Sequence, residues 1–557
     1  MVIDDELKAR IKKLTFDFVR IYTSTGTMRE KDAEAFYGGW FSSMGYFRGR
    51  KDLAGFYGIP GDCFNRSIPW CLVKGDGDAT VVLLHHYDVV DTDDYRSLRD
   101  IATEPDELMA AFRDGRVALD RESESDLKSG QWIFGRGAAD MKGGAAIQMA
   151  LVERYAEMAE AGTLRGNVLL IGLPDEENIS AGGRAAPLLL KKLKGEHGLR
   201  YELALNAEPT ERIGRTGRVA IFTGSIGKIM PLFYVRGKLS HAGTLYEGLN
   251  PIKVISKIVE KLDAIPDLID SAEGVVSPPP TFLYQKDAKK IYDVSLPLAA
   301  SAYMNVMFLQ KSVGEIMSVI RKKCGLAFKE AIADIQRSHD AFVAAGGCQP
   351  GKLPWKPCVK LYSELREEAA RDSSEKFELA LVETLRDIKA RIASGEMDMV
   401  SASHAVIELT LQHVRDASPA VIIALVPPYY PVVGNSMLGA AADRVNRVCD
   451  EVIARAEDRH GEEYVKGCIV GMSDLSYFMR SSSEGDDAYV RDNMLLGDVY
   501  ALPFDEINEI SMPVLNIGPQ GRDLHEYTER VLEEDLVART PDLMAFAIGR
   551  FIGGAGV

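Results

Sequence analysis

The chain has 557 residues and carries 66 lysines and arginines against 82 aspartates and glutamates, a net charge of −16 that argues against nucleic-acid binding driven by counterion release. With 46% hydrophobic and 27% charged residues it has the profile of a folded globular protein, too long for one ordinary hydrophobic core, so two domains are expected. Its 50 glycines follow no short period, which excludes a collagen-like architecture.

The N-terminal MVIDDELKARIKKL is charged from its fourth residue and has no apolar h-region, so no secretory signal is expected. Residues 5–22 (DELKARIKKLTFDFVRIY) place apolar residues at helical spacing. Short continuous apolar runs follow: TVVLLHH at 80–86, NVLLIGLP at 167–174 and ELALNAEP at 202–209. Such runs suit parallel strands covered on both faces, and the helical stretch 143–160 between them completes an α/β pattern.

From about residue 215 to 310 the runs IFTGSIGKIMPLFYVRG and LPLAASAYMNVMFLQ alternate more, flanking a helix near 250–263. They predict an antiparallel sheet with helices on one face. Residues 311–417 read as long amphipathic helices, followed by the strand-like PAVIIALV and a PPYYP punctuation. After about 431 the α/β pattern returns: a helix at 437–457, then KGCIVGMSD, PVLNIGPQG and a closing helix near 526–550. The expected organisation is an α/β domain in two parts, 1–213 and 431–557, interrupted by an α+β domain at 214–430. No apolar run approaches the ~20 residues of a membrane span. The seven cysteines (63, 71, 324, 348, 358, 449 and 468) are scattered, odd in number and never spaced CxxC, which argues against a disulfide framework or cysteine zinc site. A reducing, cytoplasmic setting is expected.

Chemistry concentrates just beyond the presumed strand ends, where open parallel sheets place their binding crevice. In VVLLHHYDVVD, His86 and Asp88 are two apart and share a face of an extended chain, so a carboxylate there can orient the imidazole for a metal. His85 points the other way and is read as a core histidine. In GRGAADMKGGAA there is neither a Walker lysine-serine end nor a GxGxxG after a strand, so a phosphate loop is disfavoured. Its Gly137, Gly143 and Gly144 instead let backbone close around Asp140, which by itself could be a helix N-cap. GLPDEEN offers Glu176 and Glu177, costly to bury without a cation or proton. They suit a base and a ligand respectively, or else a solvated acidic loop. LALNAEPT presents Glu208 and NIGPQGRDLHEYTE presents His525.

Singly these residues are ordinary; together, His86, Asp140, Glu177, Glu208 and His525 form a two-histidine, three-carboxylate set. It suits two zinc, cobalt or manganese ions about 3.5–4 Å apart with one bridging carboxylate.

HHYDVV, GRGAADMKGG, PDEEN, NAEPT, SHAG and GPQGRDLHEYTERV, in this order over residues 86–530, resemble the zinc metallopeptidase family M20. That family includes aminoacylase, acetylornithine deacetylase, succinyl-diaminopimelate desuccinylase and glutamate carboxypeptidase. The resemblance implies a mostly parallel sheet sandwiched by helices, with an inserted lid or dimerisation domain. It implies that His86, Asp140 and Glu208 hold one metal, and Asp140, Glu177 and His525 the other. Glu176 would be the general base for a water shared by the metals, and Asp88 the partner that orients His86. A cis peptide at Asp140–Met141 is implied as well. His241, in GKLSHAG, would stabilise the tetrahedral oxyanion, reaching the other active site of a dimer.

The chain departs from the family pattern where Asp91 replaces the usual proline and where ASAYMNVMF lacks an Asp-x-Arg. Its lid is about twice the usual size, mainly through 311–417, and length and PPYYP look most like the long arginine-utilisation branch. The implied activity is hydrolysis of an amide bond in an N-acyl or N-carbamoyl amino acid or short peptide, as a deacylase or dipeptidase. The implied partner is a small amino-acid-derived substrate, in a homodimer or in a monomer whose large lid imitates the dimer partner. A non-catalytic binding protein on this scaffold is disfavoured by the presence of Glu176 and His241. A di-metal phosphoesterase is disfavoured by the acidic charge and the lack of a basic cluster around the motifs.

Overall fold

The computed structural model describes residues 1–210, 212–213, 217–272, 274–480 and 484–553. They form two compact units, one of residues 1–225, 433–481 and 503–557, the other of residues 226–432 and 482–502.

The first unit is built on a ten-stranded mixed sheet. Its centre is four neighbouring parallel strands: Arg165–Leu173, Asp76–His86, Arg200–Asn206 and Val514–Asn516. From Val81 to His86 every residue is buried, the signature of a strand covered on both faces. The hairpin Ala54–Gly58 and Ser67–Lys74 adds an antiparallel edge against Arg165–Leu173. Arg218–Ser225 runs antiparallel to Val514–Asn516 and carries Tyr464–Ile469 in parallel.

Three helices, Asp5–Val19, Lys142–Glu160 and Thr540–Ile552, pack together against this sheet. The first buries Leu7, Ile11, Leu14 and Phe18 at helical spacing and is capped by Asp4, whose carboxylate accepts the Leu7 N–H at 2.8 Å. A separate pair, Ala181–His197 and Phe504–Ile510, packs together elsewhere on the unit. The closing helix starts later than its sequence suggested. Residues Arg530–Leu532 are a strand, paired with Trp132–Phe134 and Gly521–Arg522 in a small three-stranded sheet. One π-helical turn, Asp535–Arg539, then leads into Thr540–Ile552.

The second unit carries a five-stranded sheet in the order Thr281–Asp287, Ala299–Phe308, Gly227–Arg236, Ala420–Tyr430 and Val359–Leu361. Its pairs are antiparallel except the last, which is parallel. PPYYP does not end the strand before it. Ala420–Tyr430 runs through the cis Pro427–Pro428 bond, and a register shift between Val426 and Tyr430 absorbs the missing donors. The expected long helices are Val313–Ala344, Tyr362–Ala393 and Met399–Gln412, the first opened by a Ser312–Glu315 capping box. Residues 482–502, including the helix Glu484–Asn493, belong to this second unit although they follow the sequence boundary at 431.

Candidate metal centre

Register explains why the motifs converge. Parallel pairing sets His86 opposite Leu173, and Leu84 opposite Asn206, so three adjacent strands end side by side. The chain leaving them carries Asp88, then Glu176 and Glu177, then Glu208. Asp140 and His525 arrive from the edge of the small sheet: Asp140 lies six positions after Phe134, and His525 lies in the connection between Gly521–Arg522 and Arg530–Leu532.

Asp140 stands between two imidazoles. Its Oδ1 is 2.9 Å from His86 Nε2, and its Oδ2 is 3.3 Å from His525 Nε2. On one side Glu208 Oε2 lies 3.6 Å from His86 Nε2, and on the other Glu177 Oε1 lies 3.0 Å from His525 Nε2. His86, Asp140 and Glu177 bring a ligand atom each within 4.8 Å of one another, a group that could hold a metal ion. Asp140 is not the N-cap of the next helix. That position falls on Met141, after a cis Asp140–Met141 bond, with no side-chain cap.

The supporting contacts differ from expectation at Asp88. His86 Nδ1 is 3.0 Å from the Asp88 backbone carbonyl, whereas the carboxylate stands 3.6 Å away. A carbonyl only accepts, so Nδ1 donates to it, and Nε2 faces Asp140. The Asp88 carboxylate instead takes the backbone N–H groups of Glu176 and Glu177, each at 3.1 Å. His85 behaves as a core histidine: it is buried between Tyr37 Oη at 2.5 Å and Gln148 Oε1 at 2.8 Å, and burial pulls its pKa down to about 4.

The electrostatics fit a site made for positive charge. Burial pushes Glu176 well above the ordinary carboxylate range, and burial with the nearby Asp140 charge pushes Glu177 up to about 7. Burial raises Glu208 as well. Hydrogen bonds that its ring donates to the Asp140 and Glu177 carboxylates raise His525 to about 10. Asp140 is held low despite burial, by hydrogen bonds from His525 and His86. Protons here take the place that a divalent cation would compete for.

His241 belongs to the second unit, exposed at the start of the 3₁₀ turn Ala242–Glu247. Its Nδ1 accepts the Gly243 N–H at 3.0 Å, which leaves Nε2 as the N–H donor.

Several supporting residues escaped the sequence reading. Asn516 accepts the Glu208 N–H at 2.7 Å and donates to the Glu208 carbonyl at 2.9 Å, fixing that residue's backbone on both sides. A polar residue ending an apolar strand was its only sign. Arg66, fully buried, bonds Asp175 Oδ1 at 2.8 Å and Glu30 Oε1 at 2.6 Å, and so ties down the residue before Glu176. Asp474 is buried too, raised to about 7 by burial.

The model of peptidase family M20/M25/M40 matches residues 83–494. The chain belongs to this family. The match includes His86, Asp140, Glu176, Glu177, Glu208 and His241; His525 lies beyond it, so its place rests on the geometry. Protein YqjN of Bacillus subtilis (strain 168) is 32% identical over 491 residues, 87% of each chain. Protein RocB of the same strain is 28% identical over 529 residues, 94% of this chain and 91% of its own. Both alignments run through the second unit. Among solved structures, the dipeptidase Dug1p of Saccharomyces cerevisiae matches with a TM-score of 0.55 at 11% identity, covering 99% of this chain and 98% of its own, which shows the shared fold. As an M20 member the chain is an enzyme, a hydrolase of the metallopeptidase and amidohydrolase kind. No helix among the described residues is long and apolar enough to cross a membrane.

Proposed function

We propose that this M20 hydrolase cleaves the C–N amide bond of an N-acyl or N-carbamoyl amino acid or a short peptide, using two divalent cations, zinc in the first instance and cobalt or manganese as alternatives. The observation that supports it most is Asp140, with each carboxylate oxygen turned to a different histidine. Two imidazoles and three carboxylates are a borderline-soft donor set that fits such ions. His86, Asp140 and Glu208 would hold one, and Asp140, Glu177 and His525 the other. Bound there, the cations would polarise the scissile carbonyl and acidify the attacking water.

The chain's own groups supply the rest. Glu176, buried beside the ligands, takes a proton from the attacking water and returns it to the leaving nitrogen. Burial raises its proton affinity above that of an ordinary carboxylate, which favours its holding that proton between the two transfers. The Asp88 carboxylate keeps Glu176 and Glu177 in register through their backbone N–H groups. His241, with Nε2–H as donor, stabilises the oxyanion of the tetrahedral intermediate.

The second unit is the lid or dimerisation element. In a homodimer His241 acts in trans; in a monomer with an enlarged lid it acts in cis. Mixing Glu176→Gln with His241→Ala protein distinguishes these, since only exchange in trans restores activity. The buried Cys71, Cys324 and Cys449 are thiols, in keeping with work in the cytoplasm.

The test is metal content together with a hydrolysis screen of N-acetyl, N-carbamoyl and dipeptide substrates, with Glu176→Gln as control. About two ions per chain and Glu176-dependent release of an amino acid are expected. A metal-stripped enzyme as active as the loaded one overturns the reading.

A further inference from the structure

Arg136 and Glu529 form an ion pair at 2.8 Å, each about 1% exposed. Burying both charges is costly unless their remaining hydrogen-bonding capacity is used, and here it is used on the ligand loops. Glu529 Oε1 accepts the backbone N–H groups of Ala139 and Asp140, both at 3.1 Å. The same guanidinium that holds Glu529 donates through another nitrogen to the His525 backbone carbonyl at 3.2 Å. That nitrogen also reaches Asp94 at 2.9 Å. One ion pair therefore grips the backbone of Asp140 and of His525, which approach from chain segments almost four hundred positions apart. Neither Glu208 nor Asn516, which fixes it, touches this pair; that ligand has its own clamp.

From this geometry we infer that the Arg136–Glu529 pair is a positioning device that registers the His525 loop against Asp140 and so sets the affinity of the Asp140–Glu177–His525 cation position. The inference rests on the two-cation reading. A planar guanidinium can bond a carboxylate and a carbonyl with different nitrogens at once, which a lysine ammonium on its single stem cannot reproduce in the same directions. Lysine at 136 keeps the charge opposite Glu529 and gives up the His525 carbonyl.

The experiment is stepwise zinc binding to the metal-free full-length protein, followed by competition with a chelator of known affinity. Wild type, Arg136→Lys and Arg136→Met are compared, with circular dichroism of the metal-free proteins as the folding control. Wild type binds two ions. Both variants keep one step and lose about 10–100-fold in the other. A His525→Ala protein weakens the same step, which identifies it. Arg136→Lys, which preserves the buried charge, carries the test if Arg136→Met does not fold. Folded Arg136 variants with both steps as in wild type, or with both weakened alike, overturn the inference while the two-cation reading stands. A wild type that binds fewer than two ions overturns that reading and this inference with it.

Discussion

The Asp88 carboxylate accepts the backbone N–H of Glu176 at 3.1 Å, and its second oxygen accepts that of Glu177 at the same distance. Asp88 thus acts on the acidic loop with its side chain and on His86 with its backbone carbonyl. Asparagine at 88 retains one acceptor oxygen and places an NH₂ group against the other N–H. We expect Asp88→Asn to lower kcat about 10–100-fold with a smaller change in KM, because the backbone of Glu176 and Glu177 shifts while the His86 contact survives. Steady-state kinetics on the substrate found by screening check this. A rise in KM with kcat unchanged would show that Asp88 serves substrate binding instead.

Metal loss should be biphasic. The His86 side chain is 1% exposed, whereas that of His525 is 49% exposed, so a cation held on the His525 side would be the more open to water and chelator. Chelator-treated enzyme is expected to release one ion rapidly and the other slowly, and His525→Ala to remove the fast phase. Simultaneous release of both ions, followed by a chromogenic chelator, would contradict this.

Gly144 faces the loop that carries Glu208. A Cβ there would collide with the carbonyl oxygen of Ala207 and stand 2.8 Å from its Cβ. Gly144→Ala therefore drives the helix Lys142–Glu160 off the Glu208 loop, at a cost of about 1–3 kcal/mol in stability. Gly549, also helical but with nothing within 4 Å of a built Cβ, is the control. Alanine there is expected to be neutral or to stabilise by about 0.5–1 kcal/mol. Denaturant melts of both variants check the contrast.

Much of this site was legible because its strands are buried on both faces. Runs such as TVVLLHH then stand out as continuous, and the acids and histidines that follow them mark the crevice. What pairs with half-exposed or irregular chain was not legible. The edge strand Ala54–Gly58 is only five residues long, two of them glycine (Gly55 and Gly58), and has no apolar run. The short strand Arg530–Leu532 was read as helix because only its pairing with Trp132–Phe134 defines it. Residues 482–502 return to the second unit without a change of composition. At the site, candidate ligands could be picked out by residue type, but the division of labour within Asp88, side chain to the acidic loop and carbonyl to His86, is a matter of distances.

In the second unit, Asp270 joins the end of the strand Ala299–Phe308 to the long helix that follows. Its Oδ2 accepts the backbone N–H groups of Leu309, Gln310 and Lys311 at 2.7–2.9 Å, and Oδ1 accepts that of Ser271 at 2.9 Å. Burial alone would raise this carboxyl, but those N–H groups hold it at about 2, below the ordinary 3.8. A depressed carboxylate contributes stability that is fully present above the unfolded value and is lost as pH falls through the folded one. The contribution of Asp270 should therefore be complete above about pH 4 and fade towards pH 2. Asp270→Ala strands these four N–H groups and is expected to cost about 3 kcal/mol near neutrality. Asp270→Asn keeps an acceptor oxygen and is expected to cost less. The stability difference between wild type and Asp270→Asn, read from denaturant melts across that acid range, should shrink as pH falls. A difference that stays constant from pH 5 to pH 2 would mean that the charge on Asp270 contributes nothing, and that the turn is held by geometry alone.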